Sequence, residues 1–109
     1  MIFPRNPEGL PPYCECGGVL KPNTVLFGEQ LPPQALERAH HESSTCKIML
    51  LIGTSAVSHP AASLPGLARQ NGAVVIEINP EKAFPAANIH IEEKAGTALP
   101  KIFAALSNR

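Results

Sequence analysis

The chain has 109 residues, enough for one small domain with a modest core. Hydrophobic residues make up 44% and charged residues 17%, which excludes a disordered chain. A formal net charge of +0 excludes a broad basic field for nucleic acid, and no apolar run is long enough to cross a membrane as a helix.

Residues 1–13 are rich in Pro and Gly and read as a loop. Nothing in them opens an independent domain, so further chain upstream is expected. Met1-Ile2-Phe3-Pro4-Arg5 lacks the charged-then-apolar layout of a signal peptide. Three cysteines, two of them nearly adjacent, do not make a disulfide framework. The expected setting is the cytoplasm.

Cys14-Glu15-Cys16-Gly17-Gly18 places two thiols at C-x-C spacing before a pair of glycines. Glycines let backbone N–H groups turn toward sulfur, so this is half of a metal knuckle or two reduced, unliganded thiols. A structural zinc site needs four ligands. Cys46, just before an apolar strand, is poorly placed to be the third. Residues 20–29 contain Thr24, Val25, Leu26 and Phe27, which have strand character, and Gly28 ends the run. The segment is either an edge strand burying Val25 and Phe27 or an extended stretch that pairs with a peptide. Pro32-Pro33 opens a helix reaching Ser43, with Ala35, Leu36 and Ala39 on its apolar face. His40 and His41 fall on its solvated C-terminal part.

Ile48–Ile52 is apolar at every position, the pattern of a parallel strand covered on both faces. Gly53-Thr54-Ser55 breaks it, leaving two hydroxyls and turning N–H groups at the strand's carboxyl end. Pro60 then starts a helix containing Ala61, Ala62, Leu64, Leu67 and Ala68. A strand, a small polar turn and a helix form the arrangement in which open α/β sheets hold ligands. Asn71-Gly72 turns the chain into a second buried strand over residues 73–78. Asn79-Pro80 closes that strand. Asn79 is either a turn former or a polar group placed to meet a ribose. Ile89-His90-Ile91 alternates as a brief last strand, with His90 on its surface. Residues 95–106 form an amphipathic helix with Leu99, Ile102, Phe103 and Leu106 facing inward.

The order of elements predicts an α/β chain with a partial doubly wound, Rossmann-like parallel sheet. No G-x-G-x-x-G, G-x-S-x-G or phosphate-cradling Lys loop occurs.

Taken together and in order, these stretches resemble the C-terminal half of a sirtuin, an NAD-dependent protein-lysine deacylase. The matching residues begin with Cys14-Glu15-Cys16-Gly17-Gly18-Val19-Leu20-Lys21-Pro22 and Val25-Leu26-Phe27-Gly28-Glu29. They continue with Gly53-Thr54-Ser55, Pro60-Ala61-Ala62 with Leu64-Pro65, Ile78-Asn79, Lys94-Ala95-Gly96 and Leu99-Pro100. The resemblance implies that residues 1–22 are the tail of a small zinc-binding module. It implies that residues 23–109 are the C-terminal half of the NAD-binding Rossmann-like domain. Cys14 and Cys16 match the second cysteine pair of the zinc module, where the family commonly has C-x-x-C. Val25, Phe27, Gly28 and Glu29 match the loop whose backbone pairs with the acyl-lysine peptide, and Val57 falls near the substrate channel. Gly53, Thr54 and Ser55 match the turn that holds the NAD ribose and phosphate. Asn79 matches the adenosine-ribose contact, and Lys94 and Ala95 match backbone contacts to adenine. Glu93 stands where the family often has glycine.

Sirtuins also carry a G-A-G-x-S pyrophosphate loop, a T-Q-N-x-D segment, a catalytic His followed by Gly, and a first cysteine pair. None is found in these residues. No residue here is therefore assigned a catalytic role, His40, His41, His59 and His90 included. The expected function is part of an NAD-dependent deacylase acting on an acyl-lysine protein or peptide, inactive alone. The alternative is a non-catalytic remnant that binds nucleotide weakly or joins a partner. Either a missing N-terminal half or a second copy is the expected protein partner, with no nucleic acid and no membrane.

Overall fold

The computed structural model describes Gly9 and residues 11–108. The loop expected over residues 1–8 and Leu10 lies outside these. The chain divides into two compact units, Met1–Pro32 and Pro33–Arg109. The division falls beyond the expected boundary at residues 22 and 23.

The described part of the first unit is a small turn-built knot. Tyr13 and Val19 form an antiparallel bridge, and the Leu20 N–H donates to the Pro12 carbonyl at 2.8 Å. Inside it, Gly17 N donates to Cys14 O at 2.9 Å and Cys14 N to Gly18 O at 2.7 Å. Gly17 sits at φ +87°, a left-handed conformation that a side chain would strain. The strand expected across Thr24–Phe27 is not formed: the segment has no ladder partner among the described residues. Strand propensity alone cannot hold an extended segment whose N–H and C=O groups find no neighbouring strand. Val25 and Phe27 are accordingly exposed rather than buried.

The second unit contains helix α1 (Pro33–Thr45), strand β1 (Ile48–Ile52), helix α2 (Leu64–Gln70), strands β2 (Val74–Ile78) and β3 (Ile89–Ile91), and helix α3 (Ala95–Ser107). The sheet order is β1-β2-β3, and both pairings are parallel. Ile48 aligns with Val74, Ile52 with Ile78, Ile76 with Ile89 and Ile78 with Ile91. Pro60 does not start an α-helix directly. It precedes a single 3-10 turn, Ala61–Ser63, and α2 begins at Leu64 with Pro65 in its first turn. Gly72, at φ +90°, ends α2, and Ala73 N donates back to Ala68 O at 3.0 Å.

The core lies on one face of the sheet, where Ala68 of α2 and Ala73 and Val75 are buried with Met49, Cys46, Phe84 and Ala87 around them. The other face departs from expectation. Ile48 and Leu50 are 60% and 53% exposed, and Ile52, Val74 and Ile89 are exposed beside them. β1 is apolar on both sides, yet among the described residues only one side is well covered. The same holds on α3: Ala98 is buried and Leu99 and Ile102 are half-buried, but Phe103 and Leu106 are exposed rather than inward.

β3 has three residues and is anchored from just before its start. Asn88 N donates to Val75 O at 2.9 Å, and Asn88 Oδ1 accepts from Val75 N at 2.9 Å. One asparagine thus replaces a missing ladder residue.

Candidate functional site

The turn after β1 is shaped by its backbone. Gly53, at φ +60°, swings the chain out of the strand while its N–H still donates to Ile78 O at 3.0 Å. Thr54 Oγ1 then accepts from Ala56 N at 3.1 Å, a side-chain turn that helps hold Ala56 at φ 54°. A cleft of about 190 Å³ opens beside it, lined by Leu51, Thr54, Ser55, Ser58, Ala61 and Pro65 among others. The lining is small and largely apolar, with hydroxyls at the strand end.

Asn79 is the joint of this edge. Its Nδ2 donates to Thr54 O at 2.8 Å, and its backbone N–H donates to Ile91 O at 3.0 Å. Its Oδ1 faces Glu81 N at 3.4 Å. One residue at the end of β2 is therefore bonded both to the turn after β1 and to the end of β3. Lys94, extended at φ -66° and ψ 145°, caps the start of α3, and its carbonyl accepts from Thr97 N and Ala98 N at 3.0 Å each. Gly53, Thr54, Ser55, Asn79, Lys94 and Ala95 thus follow the carboxyl ends of three adjacent parallel strands. That edge is where open α/β sheets bind ligands. Val57 lies past the turn with an exposed side chain.

In the first unit, the loop carrying Val25, Phe27, Gly28 and Glu29 is closed on itself. Lys21 Nζ donates to Thr24 O at 2.9 Å and lies 3.4 Å from Glu29 Oε1. Glu29 Oε2 accepts from Leu26 N at 3.2 Å, and Gly28 sits at φ +87° at the bend. Phe27 is 100% exposed at the tip. Cys14 and Cys16 are exposed free thiols on the bridged turn. The Gly18 backbone donor, and then the Cys14 side chain, lower the pKa of Cys16 below that of an ordinary thiol. No group of three or more potential metal ligands gathers among the described residues.

Comparison with known proteins places the chain in a family. The Sir2 family model matches residues 3–60, more than half of the chain. The chain is a member of the Sir2 family. It is 48% identical over 97 residues to an NAD-dependent protein deacylase of Aquifex aeolicus, covering 86% of this chain and 41% of that protein. A solved Sir2 homologue–NAD complex superposes with a TM-score of 0.82 at 40% identity, over 89% of this chain and 39% of that one. A Sir2–p53 peptide–NAD+ complex does so at 0.80 and 28% identity, over 90% and 42%. The chain spans about two fifths of the length of the curated relatives it matches. The Sir2 Rossmann-like α/β fold, with its parallel sheet, is thereby shown.

One pair in this Sir2-family chain escaped the sequence reading. Glu77 of β2, 1% exposed, accepts at Oε2 from Ala83 N (2.9 Å) and Phe84 N (3.0 Å). Its Oε1 lies 3.0 Å from His90 Nδ1. His90, expected on the surface of β3, is mostly covered and belongs to this cluster. The signal was present: a single charge inside the apolar run Val74-Val75-Ile76-Glu77-Ile78 requires partners.

Proposed function

We propose that this chain supplies the adenosine side of the NAD site and the acyl-peptide loop of an NAD-dependent protein-lysine deacylase. The observation that carries the proposal is the convergence at one sheet edge, where Asn79 ties the Gly53–Ser55 turn to the end of β3. Related proteins are named NAD-dependent protein deacylases, and related structures are complexes with NAD and a peptide.

The residues fit a dinucleotide. A Cβ added at Gly53 would meet no protein atom within 4 Å, so the space beside that backbone is open to a ligand. Gly53, Thr54 and Ser55 offer turning N–H groups and hydroxyls to a ribose and phosphate. Asn79 would contact the adenosine ribose, and Lys94 and Ala95 would offer backbone groups at the start of α3. Bound NAD would supply the activated ribose carbon that accepts the acyl group. Val25, Phe27, Gly28 and Glu29 form the exposed loop against which the acyl-lysine peptide would pair, and Val57 contributes on the substrate side. Cys14 and Cys16 supply two thiolates of a tetrahedral zinc set. The remaining ligands are not gathered among the described residues. In this reading residues 1–22 belong to the zinc module and residues 23–109 to the Rossmann-like domain. Exposed thiols suit a reducing cytoplasm.

None of the four histidines lines the cleft, so the chain alone is proposed to be inactive. The bare apolar row on β1 supports cover by another polypeptide, namely the rest of a Sir2 domain. The test is titration of the labelled chain with NAD, followed by NMR. Shifts concentrated at Gly53, Thr54, Ser55, Asn79, Lys94 and Ala95 are expected, with no nicotinamide released from NAD and an acetyl-lysine peptide. Shifts elsewhere, or none, overturn the cofactor reading. Nicotinamide release by the chain alone overturns the inactivity.

A further inference from the structure

The Asn79 edge is built on a second tier of contacts that no cofactor or substrate role uses. The geometry points to Glu77, braced by His90, as a positioning residue for Asn79.

The chain leaves β2 at Asn79 and returns at Asn88. A ten-residue excursion of this kind would ordinarily be the mobile part of the edge. Here it is fastened to the sheet from beneath. The Glu77 carboxylate takes the N–H groups of Ala83 and Phe84, and it meets His90 on the neighbouring strand. Arg69 Nε donates to Ala86 O at 2.8 Å from the α2 side. Phe84 and Ala87 are drawn against the core. The path of the backbone out of Asn79 is therefore fixed a few residues downstream. That path adds to the backbone bond from Asn79 N to Ile91 O in holding the side chain toward Thr54.

A buried carboxylate is an expensive way to fill a strand position. Removing it leaves two part-buried N–H donors without their acceptor, at a cost above that of an ordinary exposed bond. An apolar residue would suit β2 better if burial were all that mattered. Glu77 does not itself line the cleft, although its ladder partner Leu51 does. It reaches the site through the loop, and it acts by where it holds Asn79 rather than by touching a ligand. This inference rests on the nucleotide reading above for its functional meaning, but not for its structural test.

The experiment uses the full labelled chain as wild type, E77L, E77Q and H90L, followed by NMR with and without NAD as the probe. In E77L the amides of Ala83 and Phe84 should exchange roughly tenfold faster, as expected for loss of a part-buried bond to a carboxylate acceptor. The Asn79 side-chain amide signals should move toward those of a free amide. NAD binding should weaken about fivefold or more, in line with a lost positioning bond. E77Q, which keeps an acceptor oxygen at the same place, should recover most of each change. H90L should move the Asn79 signals in the same direction by less, and it carries the test should E77L fail to fold. A merely structural Glu77 would lower the melting temperature and leave the Asn79 signals where they are. That result in E77L, or in H90L as its substitute, overturns the inference. Absence of NAD binding in the wild type overturns the nucleotide reading instead, and the Asn79 signals still decide the role of Glu77.

Discussion

Lys21 and Glu29 face each other at 3.4 Å across the mouth of an otherwise unpaired loop, Nζ to Oε1. Both are substantially exposed, so the ion pair itself contributes little, on the order of 0.5 kcal/mol. Its effect is conformational, because Lys21 also bonds Thr24 O and Glu29 also bonds Leu26 N. The loop is presented in one shape without a partner strand. E29A should leave the melting temperature of the chain nearly unchanged. Amide exchange at Leu26 should rise severalfold, by the loss of about 1 kcal/mol of local order. K21M should do the same to a smaller degree, because Glu29 keeps its bond to Leu26. Equal exchange in wild type and E29A would show that the loop shape does not depend on the carboxylate.

The turn after β1 separates two left-handed residues by chemistry. Gly53 adopts φ +60° without strain, whereas Ala56 pays for φ 54°. G53A should destabilise by about 1–2 kcal/mol from backbone strain alone, since its Cβ meets nothing. A56G relieves strain but frees the unfolded chain, so its net effect should lie within about 1 kcal/mol of zero. Thermal melts of both variants check the pair. A larger loss in A56G than in G53A would contradict this account.

The depressed Cys16 pKa fixes a direction for thiol chemistry. Its thiolate is favoured in the folded chain, so reactivity appears at a lower pH than for an ordinary thiol and fades as the pH falls through the lowered pKa. Alkylation of the metal-free chain near neutral pH, mapped by mass spectrometry, should label Cys16 before the half-buried Cys46. Urea should narrow the difference. Preferential labelling of Cys46 would refute the assignment.

The uncovered row on β1 makes a solubility prediction. Leu50 is already 53% exposed, so L50K should cost under about 1 kcal/mol. It should reduce self-association in sedimentation at micromolar concentration, because a charge interrupts an exposed apolar edge strand. Unchanged association would place the sticky surface elsewhere, for example at Phe103 and Leu106.

Much of the second unit is legible in the sequence. The three helices and three strands fall close to their expected places because each carries its own period, punctuated by Pro33, Gly53, Asn71-Gly72 and Pro80. The parallel sheet followed from the alternation of strands with helices, and the turn at Gly53 from its composition. Apolarity was less informative about cover. Ile48, Leu50 and Ile52 read as a doubly buried strand, yet their side of the sheet is covered at Ile78 and left partly open along β1 among the described residues. Phe103 and Leu106 misled in the same way, since amphipathic spacing names a face but not whether a neighbour occupies it. Thr24–Phe27 failed for the complementary reason: strand propensity without a ladder partner leaves an open loop. The Glu77–His90 pair was hidden because its partners, Ala83 and Phe84, lie in a loop without periodicity.

Asn88 bears on the order in which this sheet assembles. Its two bonds to Val75 span 13 residues, whereas the first pairing of β1 with β2, Ile48 with Val74, spans twice that distance along the chain. The shorter closure costs less chain entropy and immediately recruits a fully buried valine. Chain entropy therefore favours pairing of β2 with β3 ahead of β1, which would then add to a template whose register has already been set.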